Sequence, residues 1–115
     1  MSQWIGFDLD GTLAHHGEGE WDGGVGRPIK PMIDILKNYI AEGVECRIVT
    51  ARVASCHPEQ ERYDQTVIVR EWIKEQVGRE LPVTSEKDFE MVVLYDDRAI
   101  QVEKNTGRLV SNVVV

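Results

Sequence analysis

The 115-residue chain contains only two cysteines, Cys46 and Cys56, and no Cys-x-x-Cys pair. That excludes a disulfide scaffold of the small secreted kind and removes the usual thiolate framework for structural zinc. Such sparse cysteine suits a reducing compartment, and the expected location is cytoplasmic. No run approaches the roughly 20 apolar residues that span a bilayer, so no membrane helix is expected. The opening MSQWIGFDLDG lacks a basic stretch followed by a long apolar one, so no signal peptide is expected. Basic residues are also in deficit, with 13 Lys and Arg against 20 Asp and Glu and a formal net charge of -7. A chain without a basic stripe is not built to hold long nucleic acid tightly. A phosphorylated substrate, either a small molecule or a nucleic-acid end, stays compatible, because a bound divalent cation reverses the local field.

What is present is ordinary for a globular protein: 42% apolar and 29% charged residues, in a length that suits one core. A single domain over residues 1–115 is therefore expected. Residues 4–9 read as a strand ending in acids and a Gly-Thr turn. Residues 14–27 carry Gly17, Gly19, Gly23, Gly24 and Gly26 and read as an irregular, glycine-rich flap. Pro31 suits the start of a helix that places Ile33, Leu36 and Ile40 on one face and stops at Gly43. Residues 44–50 alternate as a strand does. Residues 59–77 form a second expected helix, with Val69, Ile73 and Val77 in one stripe and Gly78 as its stop.

Residues 81–84 read as a short strand, and residues 91–95, five apolar residues in succession, as a central strand buried on both faces. Residues 99–103 and 108–110 flank Asn-Thr-Gly as a small C-terminal β-hairpin, with Gly107 in the left-handed position. Residues 113–115 either extend a sheet or fray. Trp4 and Trp72 are assigned to the core, and Trp21 to anchoring the flap, with a stacking platform for a base or sugar as its alternative reading. The alternation predicts an α/β fold with an open, mostly parallel sheet flanked by helices. In such sheets ligands gather at the carboxyl ends of the strands, where Asp8, Asp10, Thr50, Asp96 and Asp97 fall.

Four carboxylates at one edge repel, each close pair by about 1–4 kcal/mol in water-like to surface-like surroundings. A cation relieves that cost, and an all-oxygen ligand set points to a hard one, magnesium above all. Asp8 and Asp10, two residues apart on an extended strand, project to the same face. The Gly11-Thr12 turn that follows is expected to aim backbone N–H groups at an anion. A carboxylate nucleophile, a second proton-exchanging carboxyl and anion-facing amides are the parts of a two-step phosphoryl transfer. Arg52, two residues past Thr50, reads as a phosphate contact or as a solvated side chain. His15 and His16 lie in the flap, with no role assigned.

Asp8-Leu9-Asp10-Gly11-Thr12-Leu13 resembles the first motif of the haloacid dehalogenase (HAD) superfamily, D-x-D-G-T-L at the end of a strand. Ile48-Val49-Thr50 resembles the second motif, Lys87 matches the lysine of the third, and Val92-Val93-Leu94-Tyr95-Asp96-Asp97 resembles the fourth. The ordered set spans most of the chain. The resemblance implies a single Rossmann-like domain and a phosphatase that works through an aspartyl-phosphate. It implies Asp8 as nucleophile, Asp10 as acid and base, and Thr50 and Lys87 as phosphate contacts, to which the residues themselves add Gly11, Thr12 and Arg52 as candidate phosphate contacts. Magnesium would be held by Asp8, the backbone carbonyl of Asp10, Asp96 and Asp97. Larger members insert a cap domain, for which the flap is too short, so a capless fold is expected. An open site admits bulky substrates or is covered by oligomerisation, and a homo-oligomer is one expectation. The leading substrate expectation is a nucleotide or nucleic-acid end, followed by a sugar phosphate or phosphoprotein. The alternative is a phosphate- and magnesium-binding module without turnover.

Overall fold

The computed structural model describes residues 2–110, and the tail at residues 113–115 lies outside the described part. Four strands, β1 (Trp4–Asp8), β2 (Cys46–Val49), β3 (Val83–Thr84) and β4 (Met91–Tyr95), form one sheet in the order β3-β2-β1-β4. All three pairings are parallel. Helices α1 (Lys30–Ala41) and α2 (Glu59–Val77) make the crossovers, with a single 3-10 turn at Ala51–Val53 between β2 and α2. This is the α/β, all-parallel arrangement that the alternating pattern predicts.

The core explains why these segments become these elements. Ile5 and Phe7 of β1 and Cys46 and Ile48 of β2 pack in one cluster with Ile33 and Leu36 of α1 and Val69 and Ile73 of α2. Alternate strand residues share a face, so both helices cover the same face of the sheet. Pro31 in the first turn suits α1, since its missing N–H is one that a helix start leaves unpaired. Glu59 and Glu61 in the first turn of α2 favour its positive end, and Gly78 closes it in the left-handed conformation.

The opposite face carries Trp4, Gly6 and Asp8, and no helix among the described residues covers it. Trp4, fully buried, lies across Gly6, where an added Cβ would meet the indole, Leu94 and Val49, each at 3.1 Å. Its Nε1–H donates to Asp88 at 2.8 Å, and the Arg47 guanidinium sits 4.4 Å from the ring centroid. On this face the indole, tied to the 85–90 turn through Asp88, is what covers Gly6.

Two expectations change. The apolar run Met91–Tyr95 is an edge strand, with Val92 53% and Val93 43% exposed; the strand buried on both faces is β1. The apolar run fits either place because side-chain type does not report whether a strand has one neighbour or two. The C-terminal hairpin is reduced to one antiparallel bridge, Val102 with Leu109, flanked by two backbone hydrogen bonds and turned through Gly107 at φ 78°. Trp72 is only partly buried against the core. No helix among the described residues is long and apolar enough to cross a membrane.

Replacing Trp4 with alanine is expected to destabilise the protein by about 3–5 kcal/mol, and Asp88→Ala by about 1 kcal/mol. Urea denaturation of both variants checks this, and equal small losses would mean that the second face is not held by the indole.

Candidate active site

The strand order reverses at β1, whose two neighbours are β2 and β4. The carboxyl end of β1 is thus the switch point at which α/β sheets open a crevice. Asp8 ends β1, and Asp96 and Asp97 follow β4 immediately. One carboxylate oxygen from each of these three lies within 4.8 Å of the others.

Thr12 holds them together. Its buried hydroxyl lies 3.2 Å from Asp8 Oδ2 and 3.0 Å from Asp97 Oδ1, and it accepts from the Asp97 backbone N–H at 3.0 Å. Gly11 makes that approach possible. Its φ is +89°, and a Cβ there would fall 2.4 Å from Asp97 Oδ2, so both conformation and space require glycine. The turn does not supply the expected amides, however. Gly11 N–H donates to the Ala14 carbonyl at 2.8 Å and Thr12 N–H to the Leu9 carbonyl at 3.2 Å. The turn closes on itself, so Thr12 serves the site through its hydroxyl rather than its backbone.

The acids are poorly compensated. Burial raises the Asp8 carboxyl from 3.8 to about 7, helped by its hydrogen bond to Asp97 and by the charges of Asp96 and Asp97. Burial also pushes Asp97 upward, but the hydrogen bonds from Asp8 and Thr12 outweigh it and leave Asp97 below the ordinary carboxylate value. Of the two, Asp8 is the carboxyl pushed upward and Asp97 the one held down, so the pair resists full ionisation. An oxygen-only cluster that resists full ionisation has the donor chemistry of a hard-cation site.

Asp10 faces elsewhere. Arg52 grips it with a two-pronged fork, Nε to Oδ2 and Nη2 to Oδ1, both at 2.8 Å. The same guanidinium donates to the carbonyls of Gly23 and Gly24 in the flap and to Gln65 Oε1 on α2. It also lies 4.6 Å from the Trp21 ring centroid. Arg52 is no solvated side chain, then, since only 7% of it is exposed. Thr50 is buried at the end of β2, where its Oγ1 accepts from Arg52 N–H at 3.2 Å. Its own hydroxyl proton remains available to the cleft it lines.

The flap is pinched at its stem by a bridge between Ala14 and Pro28 and by His15 N–H donating to the Arg27 carbonyl. A Cβ at Gly26 would sit 2.1 Å from the His15 carbonyl oxygen, so that stem also requires glycine. His16 Nδ1 lies 3.7 Å from Asp10 Oδ1, whereas His15 pairs with Glu18 at 2.8 Å.

Lys87 is not brought to Asp8. It is exposed, and the next residue, Asp88, is tied to Trp4 at the start of β1, whereas Asp8 stands at its end. The turn into β4 must return to the opposite edge of the sheet, and it carries Lys87 away with it. Sequence reasoning also missed Glu61, Asp64 and Gln65 of α2, which line the cleft of about 690 Å³ that holds Asp8, Asp10 and Thr50. Their signal was the polar face of α2, where residues three and four apart lie side by side.

No family model matches the chain, and no curated protein matches it. A solved structure of a conserved protein from Bacteroides thetaiotaomicron is similar, with 16% identity and a TM-score of 0.55. The alignment covers 86% of this chain and 78% of that one. At such identity the likeness shows a shared fold.

The Asp8 shift carries a sign. Between 3.8 and about 7 the folded protein keeps a proton that the unfolded chain releases, so this group's contribution to stability falls as pH rises through that window. In a chelating buffer, the melting temperature of the wild type is expected to fall relative to Asp8→Asn between about pH 4 and about pH 8. Parallel melting curves for the two proteins would contradict the raised Asp8 carboxyl.

Proposed function

We propose that the protein is a magnesium-dependent phosphatase of the HAD type that hydrolyses a phosphate monoester through an aspartyl-phosphate on Asp8. The observation that carries this reading is the meeting of Asp8, Asp96 and Asp97 at the switch point, where Asp8 and Asp97 border the cleft lined by Thr50 and Asp10. Asp8, Asp96 and Asp97 would hold magnesium, with the Asp10 backbone carbonyl as a further ligand. When bound, the ion supplies the positive charge that lets Asp8 ionise at neutral pH and offsets the phosphoryl oxygens.

The chemistry then follows from the side chains. An Asp8 carboxylate oxygen attacks phosphorus in line, and the bond from phosphorus to the ester oxygen breaks. Asp10 gives that oxygen a proton and later takes one from the water that hydrolyses the acyl phosphate. Thr50 donates its hydroxyl proton to a phosphoryl oxygen. Arg52 occupies both Asp10 oxygens before substrate arrives, so it must transfer at least one of its donors to the phosphate for Asp10 to act. Charge neutralisation and positioning supply most of the rate, as in other phosphoryl transfers.

The fork on Asp10 also favours a second reading, a phosphate-binding module in which Arg52 never lets go. Turnover separates the two. Magnesium-dependent hydrolysis of p-nitrophenyl phosphate is expected, with a loss of at least about a thousandfold in Asp8→Asn. No turnover by the intact protein across a broad phosphate panel would end the phosphatase reading.

The cationic roles differ from those the motif resemblance implies. Arg52→Ala is expected to lower kcat/KM by about 10²–10³. Lys87→Ala is expected to stay within about threefold, as for an exposed surface residue. A Lys87 loss as large as that of Asp8 would mean that the 85–90 turn rearranges to reach the site.

A further inference from the structure

We propose that the cleft selects phosphate monoesters whose alcohol carries a flat aromatic ring, the nucleoside class, with Trp21 as the surface on which that ring stacks. This rests on the phosphatase reading of Asp8 and adds to it the identity of the leaving group.

Trp21 is 62% exposed, which does not fit an indole used only to anchor the flap. It is nevertheless oriented. The Arg52 guanidinium covers one side at 4.6 Å from the centroid, and His16 meets it edge-on at 6.4 Å and 74°. Next to it, Asp22 Oδ1 accepts from Gly24 N–H at 2.8 Å and fixes the local turn. An aromatic ring whose position is set but whose surface is left free is a stacking platform, and stacking tolerates any base because every base has a π-face.

Trp21 borders the same cleft as Asp8 and Thr50, and the volume of about 690 Å³ suits a nucleoside-sized group. On the α2 side, Glu61 and Asp64 line it. Carboxylates there accept hydrogen bonds from hydroxyls or ring amino groups and repel a second phosphate, so a monophosphate is favoured over a diphosphate. Arg52 links ring and chemistry, since it lies over Trp21 while it holds Asp10.

The test compares adenosine monophosphate with glycerol phosphate, which has no ring, at one magnesium concentration. Wild-type kcat/KM is expected to favour adenosine monophosphate by about tenfold or more. Trp21→Ala should shrink that preference to about threefold or less, chiefly through KM, and Trp21→Phe should restore most of it. A preference unchanged by Trp21→Ala, or a wild type that prefers glycerol phosphate, overturns the proposal. Calorimetric binding of both compounds to Asp8→Asn, with and without Trp21→Ala, separates its failure from that of the phosphatase reading. A Trp21-dependent preference in binding without turnover by the wild type keeps the stacking surface and discards the phosphatase. Equal binding of the two compounds discards the stacking surface, whatever the turnover.

Discussion

Like charge confined at the ends of two neighbouring strands is the constraint around which this molecule is arranged. Carboxylate oxygens of Asp8, Asp96 and Asp97 lie within 4.8 Å of one another, and the crowding raises the Asp8 carboxyl. Left alone, such a group would push β1 and β4 apart. The Thr12 hydroxyl, in contact with both acids and with the Asp97 backbone, holds the two strand ends in register. Gly11 is the geometric condition for that bridge, because any side chain there would strike Asp97. The tight turn after β1 therefore serves the electrostatics of the site directly.

Arg52 is a second node, tied to the first only through the chain. It joins elements far apart in sequence: Asp10 after β1, the flap carbonyls of Gly23 and Gly24, and Gln65 on α2. A buried guanidinium with several partners is worth more than an exposed ion pair, because water competes less for its donors. The flap has no core of its own, so its stem and this arginine set where it lies. Because Arg52 holds Asp10, lies over Trp21 and donates to the flap carbonyls at once, a group that drew it away from Asp10 would also loosen the flap.

Much of the fold was legible because it rests on local periodicity. Helix α2 runs over the residues its pattern indicates, since Val69 and Ile73 recur at helical spacing and Gly78 ends the run. The strand-end acids were legible for the same reason, as each follows an apolar run. The position of β4 was not, because an apolar strand reads alike at the edge and in the centre. Lys87 misled because its distance along the chain from Asp96 says nothing of where a six-residue turn travels; the anchor of that turn, Trp4 to Asp88, spans 84 positions.

By itself, the sequence determined the element types, the parallel α/β class and the gathering of Asp8, Asp10, Thr50, Asp96 and Asp97 at one sheet edge. These follow from side-chain period and from the rule that parallel strands end together. Only the tertiary structure decided which acids touch and which cation serves which carboxylate. It divided the carboxylates into a cluster of three and an Asp10–Arg52 pair, and it turned the amides of Gly11 and Thr12 inward. The physical reason is that charges and hydrogen bonds act over a few ångströms in space. Arg52 and Asp10 stand 42 positions apart along the chain, and only the folded sheet makes them neighbours.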